Sequence, residues 1–113
     1  MKNNNVTTMK TQHTPGPWIV NHGNGMHHVT DANNTVIAEV YHNTPTPQPY
    51  HNTRLIAAAP ELLEALQSFT EAVDFIIANE RELDSDRIKV YKSIQRSPVY
   101  FKAKEVIAKA TAN

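Results

Sequence analysis

The sequence predicts an α+β protein. A small antiparallel sheet of about three strands, within residues 17–42, should pack on a long antiparallel helical hairpin built from residues 52–80 and 85–111. Two observations carry this class. Short β-branched and aromatic segments crowd the first part of the chain, and from Leu55 onward apolar side chains recur at steps of four and three. Strands followed by helices, without alternation, is the α+β order.

Residues 1–12, with Asn3-Asn4-Asn5 and little to bury, read as a disordered tail ahead of a single domain over residues 13–113. Pro15-Gly16-Pro17 blocks a helix and leads an extended chain into Trp18-Ile19-Val20, a strand composition. Gly23-Asn24-Gly25 is a turn, Met26 to Asp31 a weaker strand, and Asn33-Asn34 suits a tight turn because asparagine tolerates positive φ. Thr35 to Tyr41 is the best strand. Val36, Ala38 and Val40 are expected to face the helices, with Ile37 and Tyr41 making the other face partly apolar. Residues 43–51, with Pro45, Pro47 and Pro49, read as a stiff extended connection, or as a flap beside a ligand site with Tyr50 and His51 at its base.

Asn52 is a candidate cap for the first long helix. Leu55, Ala59, Leu62, Leu66, Phe69, Val73 and Ile76 form a heptad seam, widened by Ile56, Leu63 and Ile77. Pro60 interrupts it. An interior proline removes a backbone hydrogen bond and costs roughly 3 kcal/mol. The seam keeps its phase across Pro60, so the expectation is a kinked helix or a short helix running directly into a long one, with a loop as the alternative. Asp84 or Ser85 can cap the next helix. Ser97-Pro98 marks a restart, a cap followed by proline at the first helical position. Val99, Ala103, Val106 and Ala110 then form a second seam.

Composition narrows the function. The 113 residues hold eleven basic and eleven acidic side chains, a balance that argues against a broad cationic face for duplex DNA. Absence of cysteine suits a reducing cytoplasm. No apolar run approaches the roughly 18 residues of a membrane span, and the polar beginning of the chain does not resemble a signal peptide. A soluble intracellular protein is expected.

Thr14-Pro15-Gly16-Pro17-Trp18, followed by Asn52-Thr53-Arg54-Leu55-Ile56-Ala57-Ala58-Ala59-Pro60-Glu61-Leu62-Leu63-Glu64-Ala65-Leu66, resembles a widespread set of small phage and prophage proteins. Val106-Ile107-Ala108-Lys109-Ala110 is similar to how many of them end. The resemblance covers most of residues 13–110 and is weakest between residues 19 and 50. The chain departs from the set in its Pro-rich connection and in a polar stretch from Glu80 to Arg96. Membership implies an accessory protein working in the cytoplasm of the host bacterial cell, and such proteins often counter host defence. In topology the predicted architecture also resembles the Thoeris anti-defence sponges, which bind cyclic ADP-ribose-type signals without cleaving them.

No catalytic array is legible. Six histidines, His13, His22, His27, His28, His42 and His51, precede the long helix, without cysteine or metal-ligand spacing. His27 and His28 are adjacent on a strand and should point to opposite faces. Ser68, Ser85, Ser93 and Ser97 lie in helical or capping contexts, and Asp31 and Glu39 are weak acid–base candidates. No metal and no cofactor is expected. Trp18 reads as a core anchor or as a stacking platform for a base. Arg54, beside a predicted helix N-terminus, suits a phosphate or carboxylate, or serves a capping network. The expected ligand site is therefore Arg54, Asn52, Tyr50 and His51, with Trp18 and Tyr41 on the sheet.

The resulting expectation is a non-enzymatic homo-oligomer that sequesters a small nucleotide immune signal. The alternatives are a protein–protein inhibitor of a host defence factor and a small His-dependent hydrolase.

Overall fold

The structure, a computed structural model, describes residues 12–23, 26–41, 46–79, 81 and 84–112. The predicted tail lies outside the described residues apart from Gln12, as do Asn24, Gly25 and residues 42–45. The fold is α+β, with a three-stranded antiparallel sheet and four helices among the described residues. The chain divides into two compact units, one ending at Pro60 and one spanning Glu61–Ala112.

In the first unit, β1 (Ile19–Gly23), β2 (Met26–Thr30) and β3 (Val36–Tyr41) pair in that order. The β2–β3 turn is built by Asp31. Its Oδ1 accepts from the backbone N–H groups of Asn33 and Thr35, both at 2.9 Å, and Asn34 takes φ 67°. Asp31 is thereby committed to a turn rather than offered as an acid or base. Val20, Val29 and Ala38 share one row across the sheet, and His22, His27 and Val40 the next. Val29, in the central strand, is fully buried. The register shifts between Val29 and Thr30, so Val36 comes opposite Thr30. This corrects the expected facing of Val36, which stands in the row of Ile19 and Thr30 and is exposed. A bulge reverses the facing of every residue beyond it.

Helix α1 (Gln48–Ala57) packs against all three strands. It starts four residues before the predicted cap, so Asn52 is not an N-cap but an exposed residue inside α1. The N-cap position belongs to Pro47, and Pro49 sits in the first turn, where its missing N–H has no helical partner to lose. The end of the Pro-rich segment is thus helical rather than extended. Thr53, wholly buried, donates its hydroxyl to the Pro49 carbonyl at 2.7 Å, which satisfies the one polar group of its side chain.

The predicted single span 52–80 is two helices. After Ala58, which stays in the right-handed helical region, α2 (Ala59–Ala78) begins, with Pro60 as its second residue. A short helix therefore runs directly into a long one. Pro60 falls where the first helical N–H groups are unbonded in any case. Likewise, 85–111 divides into α3 (Ser85–Gln95) and α4 (Pro98–Thr111) at the predicted Ser97-Pro98 restart. Asp84 caps α3 by accepting from Arg87 N–H at 2.8 Å, and Ser97 caps α4 by accepting from Tyr100 N–H at 3.2 Å. Replacing Ser97 with alanine is expected to lower the stability of the helical unit by about 1 kcal/mol. Urea denaturation followed by circular dichroism measures this; an unchanged midpoint would assign no weight to the cap.

Both seams rotate relative to expectation. On α2, Val73 is buried, but Leu62 and Phe69 are exposed while Thr70 is buried. On α4, Tyr100, Ala103 and Ile107 are buried, and Val99 and Val106 are exposed. Polar satisfaction permits this facing. Thr70 donates to its own helix, to the Leu66 and Gln67 carbonyls, and Tyr100 donates to Asp74, so both can be buried without an unmet donor.

Candidate functional site

The candidate site lies in the first unit, where the α1 face meets β1. An open recess of about 480 Å³ is lined by Val20, His22, Tyr50, Arg54, Ala57 and Ala58. Strand alternation aims Val20 and His22 at the helix, and Tyr50 and Arg54, four residues apart, stand on one side of α1. Tyr50 stacks on His22 with ring centres 5.5 Å apart and planes 29° from parallel. It also lies 5.5 Å from the His27 ring, in a tilted arrangement. Arg54 lies over the same tyrosine, its guanidinium carbon 5.8 Å from the ring centre, and its Nη1 donates to the Tyr50 hydroxyl at 3.4 Å. The recess therefore has a planar aromatic wall and an exposed cation at its rim.

Beneath the wall, the Nδ1 atoms of His22 and His27 are 2.5 Å apart, one ring donating and the other accepting. These residues face each other across the β1–β2 hairpin. His27 is buried, whereas His28, on the opposite face, pairs with Glu39 at 3.4 Å. The expected separation of His27 and His28 therefore holds. The pairing of His22 with His27 was missed because it requires the hairpin register. The available signal was a histidine two residues before Asn24-Gly25 and another two residues after it.

The predicted site residues are only partly assembled. Tyr50 and Arg54 line the recess. His51 is exposed beside Tyr50, with ring centres 5.8 Å apart, and Asn52 is exposed further along α1. Neither is among the lining residues. Trp18 is half-buried, donates its indole N–H to the Thr14 carbonyl at 3.1 Å, and meets His13 edge-on. Tyr41 pairs with Met26 on the sheet face away from α1 and is exposed. The expected placement of Arg54 beside a helix N-terminus is also corrected. Because α1 starts at Gln48, Arg54 lies in its last turn, and any anion contact there rests on the guanidinium rather than on helix N–H groups.

The second unit holds a different polar cluster. Asp74 accepts from Lys104 Nζ at 2.7 Å, from Gln95 Nε2 at 3.1 Å and from the Tyr100 hydroxyl. Burial raises the Asp74 carboxyl, but hydrogen bonds from Lys104, Tyr100 and Gln95 outweigh it and hold its pKa below the ordinary carboxylate value. Burial, with the Asp74 carboxylate beside it, raises the Tyr100 phenol; the hydrogen bond to Asp74 raises the Lys104 ammonium. All three groups are thereby fixed in their neutral-pH forms, which suits a clasp between α2 and α4 rather than proton transfer. Among the described residues, no group of three or more His, Asp or Glu side chains is gathered in a way that could hold a metal ion.

The fold and the recess define a small α+β protein with an open, aromatic-walled site carrying one guanidinium. The chain belongs to the family of Salmonella phage P22 protein Y8K6, whose family model matches residues 9–113. It is thus a phage protein. No curated protein and no solved structure matches it. No helix among the described residues is long and apolar enough to cross a membrane.

Proposed function

We propose that this phage protein is a non-enzymatic binding protein that counters host defence by sequestering a small phosphate-bearing nucleotide signal, of the cyclic nucleotide or cyclic ADP-ribose type. The observation that supports this reading is the recess itself, with the stacked His22–Tyr50 pair as one wall and Arg54 at the rim. A nucleobase stacks on an aromatic face, and a guanidinium takes a phosphate in two-pronged fashion. A neutral chain that holds such a ligand must do so through few, local groups, and Tyr50, His22 and Arg54 are such groups.

The test is calorimetric titration with cyclic dinucleotides, cyclic trinucleotides and cyclic ADP-ribose isomers, followed by chromatography of the recovered ligand. Binding of at least one class, with the ligand returned intact, is expected. A hydrogen bond to an ionised group is worth roughly 1.5–3 kcal/mol, so Arg54→Ala should weaken binding by about tenfold or more. Its fold should be kept, because Arg54 is exposed. Absence of binding by every class would remove the proposal. Turnover of the ligand would replace it with an enzyme, and unchanged affinity in Arg54→Ala would move the site away from the recess.

A further inference from the structure

We infer that the helical unit pairs with a second copy of this chain through an apolar face shared by α2 and α4, with α2 of each copy lying over α4 of the other. The rotational phase of the two helices places this face. Asp74 on α2 and Lys104 on α4 are bonded at 2.7 Å, so the edges that carry them lie together. The inward arcs carry Thr70 and Val73 on α2, and Tyr100, Ala103 and Ile107 on α4. At about 100° per residue, Asp74 and Lys104 stand on the same rotational edge of their arcs. The opposite edges carry Leu62 and Phe69 on α2, and Val99 and Val106 on α4. Those edges consequently lie on one side of the helix pair, away from the polar clasp. Their residues are 54%, 51%, 77% and 40% exposed, a concentration of large apolar side chains that marks an interaction surface.

Charge selects the occupant. Helix α2 carries Glu61, Glu64, Glu71 and Asp74 and no cation, while α4 carries Lys102, Lys104 and Lys109 against Glu105 alone. By the same rotational count, Glu61 borders the apolar face on α2, and Lys102 and Lys109 border it on α4. A second copy turned about a twofold axis, α2 over α4, covers the exposed apolar stripe with its own and meets opposite charge at both contacts. Setting α2 on α2 would oppose carboxylate to carboxylate.

Light scattering on the full chain at tens of micromolar tests the pairing. A mass twice the 12.7 kDa of one chain is expected. Phe69→Glu and Val106→Glu should each raise the dissociation constant by about tenfold or more with an unchanged circular dichroism spectrum, since both positions are exposed in the single chain. Glu61→Lys and the double variant Lys102→Glu/Lys109→Glu should each self-associate less than the parent. An equimolar mixture of these two should recover a dimer, because both α2–α4 contacts are again complementary in the mixed pair. A parent chain that stays at the mass of one copy, a dimer indifferent to Phe69→Glu and Val106→Glu, or a mixture that fails to recover would each overturn the inference. Preferential capture of a different protein by this face would do so as well. None of these readouts depends on a ligand in the recess.

Discussion

Val29→Asp is expected to unfold the sheet and the α1 helix packed on it. Val29 is fully buried in the central strand, opposite Val20 on one side and Ala38 on the other. A carboxylate placed there finds no cation in its row, and an uncompensated buried charge costs about 3–5 kcal/mol. That is comparable to the whole stability of a small domain. Val29→Ala, which removes only methyl groups and leaves a small cavity, should cost about 2 kcal/mol and keep the native spectrum. Thermal melts of both variants, with amide exchange to localise the loss, make the measurement. An aspartate variant that melts like the parent would mean that Val29 is not in a packed core.

The second large effect is at Asp74. Asp74→Ala removes the acceptor for Lys104, Gln95 and Tyr100 together, and it leaves a buried phenol without its partner. Hydrogen bonds to a charged acceptor contribute roughly 1.5–3 kcal/mol when shielded. The Asp74 side chain is 39% exposed, and solvent screening lowers the expected loss to about 1–2 kcal/mol. The pH dependence has a definite sign at each end. The folded-state pKa of Asp74 lies below its ordinary 3.8, so its contribution is present above that value and is lost as pH falls through the depressed pKa. Tyr100 and Lys104 are raised above 10.0 and 10.5, so their contributions are present below those values and fade as pH rises through the raised ones. Urea midpoints of the parent should therefore be flat near neutrality and fall at both extremes. In Asp74→Ala both limbs should be shallower. Equal limbs in the two proteins would show that the clasp does not couple to folding.

The Asp74 clasp illustrates why part of this molecule is hidden from its sequence. An aspartate, a glutamine, a tyrosine and a lysine on three helices carry no common spacing, and only packing brings them together. On α4, Tyr100 of the clasp is buried while Val99 is exposed. A heptad count ranks Val99 above Tyr100 because it weighs apolarity alone and does not register that a hydroxyl can be satisfied inside. In the recess, Tyr50 and Arg54 were legible from the chain as local neighbours. His22 was not, because its partner His27 lies on the neighbouring strand, opposite it in the β1–β2 register. The capping argument for Asn52 and Arg54 failed for a local reason. Proline, read as a helix breaker, is equally suited to a first turn, and Pro49 lets α1 begin four residues earlier.

By itself the sequence determined much of what depends on neighbours along the chain. This includes the order of strands then helices, a turn at Asn33-Asn34 suited to positive φ, the Ser97 cap, and Asp84 or Ser85 as the cap of α3; at Pro60 it left a kink, a direct passage or a loop, and the structure has the direct passage. These follow from steric limits on φ and from hydrogen bonds between residues a few positions apart. Only the tertiary structure decided the β2–β3 register shift that turns Val36 outward, the meeting of His22 with His27, the choice of inward face on α2 and α4, and the recess between α1 and β1. Each of these depends on which distant group satisfies a polar atom or fills a space, and that is a property of contacts between segments rather than of spacing within one.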